Sequence, residues 1–245
     1  MRNFHNPVGA CGTRPVIIHG KPPSRIFRDG CLLTQACEVR VKVYILRHGE
    51  TDYNARHLFQ GQTYTHLNEQ GFEQARAAKK TIKEMGLSFD RVYSSPIPRA
   101  LETVETVTGL PEGEILLDDR LREMDFGPLD GTPFVKDAPL AGCLFTRPDL
   151  YVPPEGAESF DQLLQRLRSF FEDLAKTGDH SVLVGCHGCA MRCMLVLFGY
   201  LELPEIWHQG IGNCTIIEAE ENRDGSGNFH VVKLHETQDP FGVFR

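Results

Sequence analysis

Arginine and histidine recur where apolar runs of this chain end. Arg47 and His48 open RHGE directly after VYIL, Arg99 lies in YSSPIPRALET, and His187 stands in GCHG directly after SVLV. Guanidinium groups offer planar, directional donors that match phosphate oxygens. Imidazole can attack phosphorus and carry it covalently, dividing one difficult transfer into two easier steps. Charge developing on the phosphoryl oxygens needs preorganised donors, and a departing alkoxide needs a proton. Glu123, in LREMDFG at 121–127, is the nearest candidate acid. Gly49 and Gly188 allow backbone and ligand to approach closely.

These residues meet only if particular elements carry them. Residues 41–46 read as a strand buried on both faces, 89–94 as a second, 114–117 as a third and 181–186 as a fourth. Apolar positions at helical spacing predict helices over 72–85, from Pro98 to a stop by Gly109, from the Ser159 cap to about 175, and over 190–198. Late strands are expected at 214–218 and 229–234, divided by the NRDGSGN turn. Strands alternating with helices imply an α/β fold, an α/β sandwich with a mainly parallel central sheet. Ligands gather at the carboxyl ends of such strands. Arg47 and His48, Ser94 and Ser95, and His187 and Gly188 follow three strand ends that converge if those strands are neighbours.

The rest of the chain narrows the reading. It has 245 residues, 41% of them hydrophobic, with 26 Lys and Arg against 33 Asp and Glu. The net charge of -7 argues against a nucleic-acid or anionic-membrane partner, and no apolar stretch approaches a bilayer span. No signal peptide is read in the first thirty residues. The eight cysteines are irregularly spaced, which favours reduced thiols and a cytoplasmic setting. Cys186 and Cys189 have C-x-x-C spacing, but no matching second pair accompanies them, and ordinary buried thiols are expected. Residues 1–38 read as an irregular extension with an edge strand at 14–19, and 39–245 as the catalytic domain. Within it, the Pro- and Gly-rich stretch 124–157 is too long for an ordinary connector and is read as a lid or loop insertion. The apolar face of a late strand or helix would suit a homodimer.

RHGET at 47–51, Asn54, FQGQTYTHLNEQGFEQA, YSSPIPRALET, LREMDFG and GCHG together resemble the histidine phosphatase superfamily, the phosphoglycerate mutase-like family. The resemblance runs over about residues 41–236. It implies a three-layer α/β/α sandwich with His48 as the phosphorylated nucleophile and Glu123 as general acid, then base for water. Arg47, Arg99 and His187 would complete the phosphate pocket, with Asn54 as a further polar contact. Bland alternatives remain for each: carboxylate pairing for Arg47 and Arg99, a solvated turn with Asp125 as substitute for Glu123, and turn capping for Asn54. Ser94 and Ser95 lack a nucleophile elbow. His57, His66, His208 and His235 read as local packing or surface residues. Phe59, Gln60, Gly61 and Tyr64 are candidates for the substrate loop, and Phe126, Phe134 and Phe145 could extend an apolar wall.

LREMDFGPLDG looks more like the phosphatase branch than the mutase branch. Between 124 and 158 only Lys136 and Arg147 could neutralise a second phosphate. The expectation is therefore a metal-independent phosphomonoester hydrolase acting on a small organic phosphate. A phosphoglycerate mutase and a non-catalytic phosphate-ligand binding protein are the alternatives.

Overall fold

The computed structural model describes residues 40–235 apart from positions 137, 139 and 225. The strand expected at 14–19 and Cys11, Cys31 and Cys37 lie outside the described residues. Six strands, β1 (Lys42–Arg47), β2 (Arg91–Ser94), β3 (Leu116–Leu117), β4 (Ser181–Cys186), β5 (Ile216–Glu221) and β6 (Phe229–His235), form one sheet in the order β3-β2-β4-β1-β5-β6. The first four run parallel, while β5 is antiparallel to β1 and β6 to β5.

Alternation along the central strands divides the apolar side chains between two faces. Val43 and Ile45 of β1 join Val182, Val184 and Cys186 of β4 in one core, packed on Leu163, Leu167, Phe170 and Phe171 of α4 (Phe160–Leu174) and on α5 (Gly188–Leu197). Tyr44, Leu46 and Leu183 point to the opposite core, filled by Ala75, Ala78 and Ile82 of α2 (Glu69–Glu84) and by Val104 and Val107 of α3 (Pro98–Thr108). The expected three layers follow.

Helix α2 starts earlier than its apolar spacing indicates, because the Asn68 side chain accepts from the Gly71 N–H and caps it. Helix α5 begins at Gly188, two residues before the expected start, with His187 at its N-cap. The third strand shortens to two residues, since a 3-10 turn occupies Glu112–Glu114. A one-turn helix, α1 (Asp52–Ala55), follows RHGE and has no apolar periodicity to announce it.

Two glycine positions bring the layers close enough to build a site. A Cβ on Gly185 of β4 would lie 2.2 Å from Val104 Cγ2, so α3 seats against β4 only over a bare backbone. A Cβ on Gly49 would lie 2.5 Å from the Gly71 carbonyl oxygen, which sets the RHGE segment directly against the start of α2. No described helix is long and apolar enough to cross a membrane.

Candidate active site

Strands β2, β4 and β1 are neighbours, with Arg47 opposite Cys186 and Ser94 opposite Gly185. Ladder bonds continue past the strand ends: the His48 N–H donates to the Cys186 carbonyl at 3.0 Å and the Ser95 N–H to the Gly185 carbonyl at 2.9 Å. The His48 and His187 rings consequently lie with centroids 5.3 Å apart. Arg47, His48, Arg99, Glu123 and His187 are all buried.

His48 Nδ1 is 2.7 Å from the Gly49 carbonyl oxygen. A carbonyl only accepts, so Nδ1 carries the proton and Nε2 keeps its lone pair. Burial, then the Arg99 and Arg47 charges, hold the imidazole well below its ordinary pKa. His187 is held down likewise, by burial first and then by Arg99, His48, Arg166 and Arg47. Its Nε2 shares a 2.8 Å hydrogen bond with Ser95 Oγ, while Nδ1 has no partner among the described residues. Ser95 Oγ already accepts from the Ile97 N–H at 3.3 Å. Its hydroxyl keeps a second lone pair as well as its proton, so it can pair with Nε2 in either tautomer of the imidazole.

Arg99 enters from the first turn of α3, completely buried. Nη1 donates to the Thr63 carbonyl at 2.9 Å and Thr65 Oγ1 at 3.0 Å, and Nη2 to the carbonyls of Gln60 at 3.2 Å and Gly61 at 2.7 Å. Its Nε is left without an acceptor among the described residues. Burial lowers its pKa to about 10, so it remains a cation at neutral pH. Arg47 Nη1 donates to the Ile211 carbonyl.

Glu123 is not part of a solvated turn. Its Oε1 accepts from the Met124 and Ala190 N–H groups, both at 2.9 Å, and its Oε2 from the Cys189 N–H at 3.0 Å. The carboxyl group thus sits on the N-terminal turn of α5, beside His187, and takes up N–H groups that have no partner within the helix. Asp125 turns away and accepts from the Gly127 N–H at 2.9 Å. Arg166 of α4 fixes the segment by donating to the carbonyls of Arg120, Arg122 and Glu123 while paired with Glu158.

Asn54 takes the capping position left open by its sequence. Its Oδ1 accepts from the Thr51 N–H at 3.2 Å, in a capping box that starts α1, and lies 3.4 Å from Asn213 Nδ2. Asn213 also donates to the His48 carbonyl at 3.0 Å, so it steadies the histidine backbone.

The substrate-loop candidates divide. Phe59 has no accessible surface and is enclosed by Phe126, Phe134 and Phe145, with ring centroids between 4.7 and 5.8 Å away. It does not line the mouth, and Phe126 and Phe145 are buried with it. The Gln60 carboxamide oxygen accepts from Thr51 and Thr65 inside the loop, and Gly61 donates to Asp130. Tyr64 alone of the four projects outward, 64% exposed, and lies over the Arg122 guanidinium with 5.8 Å from Cζ to the ring centroid. His66 is at the surface against Glu102. Cys186 and Cys189 are buried thiols, with Cys189 Sγ 3.7 Å from Met124 Sδ.

Sequence reasoning passed over Ser95 as a histidine partner, Asn213, Arg166 and Arg192. Only Arg192 carried a readable signal, as the charged residue in the otherwise apolar run of α5.

Similarity to known proteins extends over most of the chain. A relative from Hydrogenobacter thermophilus, a putative phosphoserine phosphatase 2, is 28% identical over 207 residues, covering 80% of this chain and 98% of the relative. A 2,3-bisphosphoglycerate-dependent phosphoglycerate mutase from Brucella canis is 30% identical over 193 residues, or 74% of this chain and 93% of the relative. The solved mycobacterial glucosyl-3-phosphoglycerate phosphatase superposes with a TM-score of 0.65 at 26% identity, over 79% of this chain and 97% of that one. The family model for the histidine phosphatase superfamily (branch 1) matches residues 43–235, and the chain belongs to that superfamily.

Proposed function

We propose that the protein is a metal-independent phosphomonoester hydrolase that works through a phosphohistidine at His48. One observation carries the reading. A buried, neutral His48 with its proton fixed on Nδ1 shares a pocket with Arg99 Nε, a buried donor that has no acceptor among the described residues. Burying a donor without an acceptor costs about 1–3 kcal/mol, and phosphoryl oxygens would supply what is missing.

His48 Nε2 attacks phosphorus as the ester P–O bond breaks. Arg47, Arg99 and His187 receive the charge that spreads over the phosphoryl oxygens, at donors already in place. Glu123 hands its proton to the departing oxygen and is left as carboxylate. In the second half it takes a proton from water, whose oxygen attacks phosphorus and breaks the N–P bond. His48 returns neutral and inorganic phosphate leaves.

Hydrolysis is favoured over mutation because Arg147 is committed to Asp149, at 2.9 and 2.7 Å, leaving the lid poor in cations for a second phosphate. The H. thermophilus relative and the mycobacterial structure point to small phosphomonoesters such as phosphoserine and phosphoglycerates as the first substrates to test.

Metal-free phosphate release from such a panel, with product isomers resolved, tests the reading against His48→Ala. The wild type is expected to release phosphate and to form an acid-labile phosphoenzyme, and the variant to lose about 10⁴-fold or more of kcat. Phosphoglycerate interconversion without net release would show a mutase, the reading that the Brucella relative favours. Undiminished turnover in the variant would remove His48 from the chemistry.

A further inference from the structure

Arg192 is unexplained by the mechanism above. It lies in the second turn of α5, is only 2% exposed, and makes one hydrogen bond, from Nη1 to the Gly188 carbonyl at 3.0 Å. Its guanidinium lies against the face of Trp207, 5.4 Å from the ring centroid. Nε and Nη2 have no acceptor among the described residues. No carboxylate among the described residues pairs with it, although a buried cation ordinarily keeps such a partner.

Its position relative to the phosphate pocket supplies a reason. A Cβ on Gly188 would lie 3.3 Å from Arg47 Nε and 3.4 Å from Arg192 Nη1, so the two guanidiniums approach the same bare backbone. The charged and titratable groups that act on Arg192 are Arg47 from β1, Glu123 from the segment after β3, and Cys189 and Cys193 of its own helix. Burial, and then the like charge of Arg47, lower its pKa to about 10, which leaves it a cation at neutral pH. Arg47, Arg99 and Arg192 are therefore three buried cations, and Glu123 is the carboxylate buried with them among the described residues. Asp130 belongs to the loop that Arg99 holds, and Arg166 is paired with Glu158.

From this juxtaposition we infer that Arg192 is a positioning residue that acts through the phosphate pocket: its unpaired charge beside Arg47 makes the pocket select a doubly charged phosphoryl group over a singly charged one. The inference rests on the phosphate-pocket reading but not on turnover. Coulomb energy scales with the product of the charges, so removing one cation costs a dianion twice what it costs a monoanion, on a logarithmic scale.

Calorimetric binding at about pH 5 separates the two, because sulfate is a dianion there and inorganic phosphate a monoanion. Wild type, Arg192→Met and Arg192→Lys would be titrated with each anion after their folding is checked by thermal melting. The methionine variant is expected to lose about tenfold in phosphate affinity and about a hundredfold for sulfate. The lysine variant, which keeps the charge, is expected to stay within a few-fold of wild type for both. Equal losses for the two anions, no loss for either, or a lysine variant as weak as the methionine one would overturn the inference. These results do not depend on catalysis. Failure of the wild type to release phosphate from esters would count against the hydrolase reading alone, whereas failure to bind either anion would sink both.

Discussion

The two ends of the crevice are built differently. At the phosphate end every participating side chain is buried and held from the backbone: His48 and Ser95 continue the β4 ladder, Glu123 rests on three main-chain N–H groups, and Arg99 donates to three carbonyls. At the mouth, Tyr64 and Arg122 meet through side chains alone, with Nη2 3.4 Å from the phenolic oxygen. The loop after RHGE and the 124–157 segment also share an apolar cluster of aromatic rings. Backbone bonds join the loop after RHGE to the lid, from Phe59 N–H to the Thr132 carbonyl at 2.8 Å, Gly131 N–H to the Phe59 carbonyl at 2.9 Å and Phe134 N–H to the His57 carbonyl at 2.8 Å. On the proposed reading, groups that handle phosphorus are therefore set by the main chain, and groups that would meet the rest of the substrate are free to differ. Chemistry and selectivity can change independently.

That contrast can be broken at its strong end first. Arg99→Met removes a buried cation, an unpaired donor and the anchor of the 60–65 loop together. A fall of about 10²–10³-fold in kcat/KM is expected in steady-state assays, with kcat carrying most of it. An effect confined to KM would show that Arg99 serves only ground-state binding.

Phe59→Ala tests that shared core. Loss of a fully enclosed ring should destabilise the protein by about 3–5 kcal/mol in denaturant unfolding. A cost below about 1 kcal/mol would mean that loop and lid do not share a core.

Acid sharpens the difference between the ends, because only the phosphate end buries neutral imidazoles. The folded-state pKa values of His48 and His187 are depressed, so the unfolded chain binds more protons than the native one as pH falls below about 6.5. Stability should be fully present above that pH and decline as pH falls toward the folded-state values. Unfolding midpoints of wild type and His187→Asn between about pH 7 and 4 check this, and the variant should show the flatter decline. The smallest effect belongs to the mouth: Tyr64→Ala forfeits an exposed cation–π contact of about 0.5–1 kcal/mol and should move KM by no more than about fivefold, with kcat unchanged.

What could be read from the chain follows the same division. The runs at 43–46 and 181–186 announce buried parallel strands, and the polar residues at their ends announce a crevice. RHGE and His187 were legible because strand ends place them with little help, and Arg99 because Pro98 marks the helix that opens just after β2. The anchoring of Glu123 was not, since its acceptor geometry is completed by Cys189 and Ala190 on a helix distant in sequence. Phe59 misled for a related reason: an aromatic residue in a polar loop reads as a contact for ligand until the rings of the 124–157 segment are seen to enclose it. The earlier start of α5 is a matter of His187 acting as an N-cap without a side-chain cap bond, which leaves no Ser, Thr, Asp or Asn to mark the boundary.

The bonds that run from His48 and Ser95 to β4 have a kinetic meaning as well. Both amides are tied to the central strand of the sheet, whose Val182, Leu183 and Val184 are completely buried. Their hydrogen exchange should follow the opening of the core rather than the fraying of a surface loop. The proposed nucleophile then keeps its place through every fluctuation short of unfolding the sheet, while Tyr64 can sample new positions many times in the life of one such closed state.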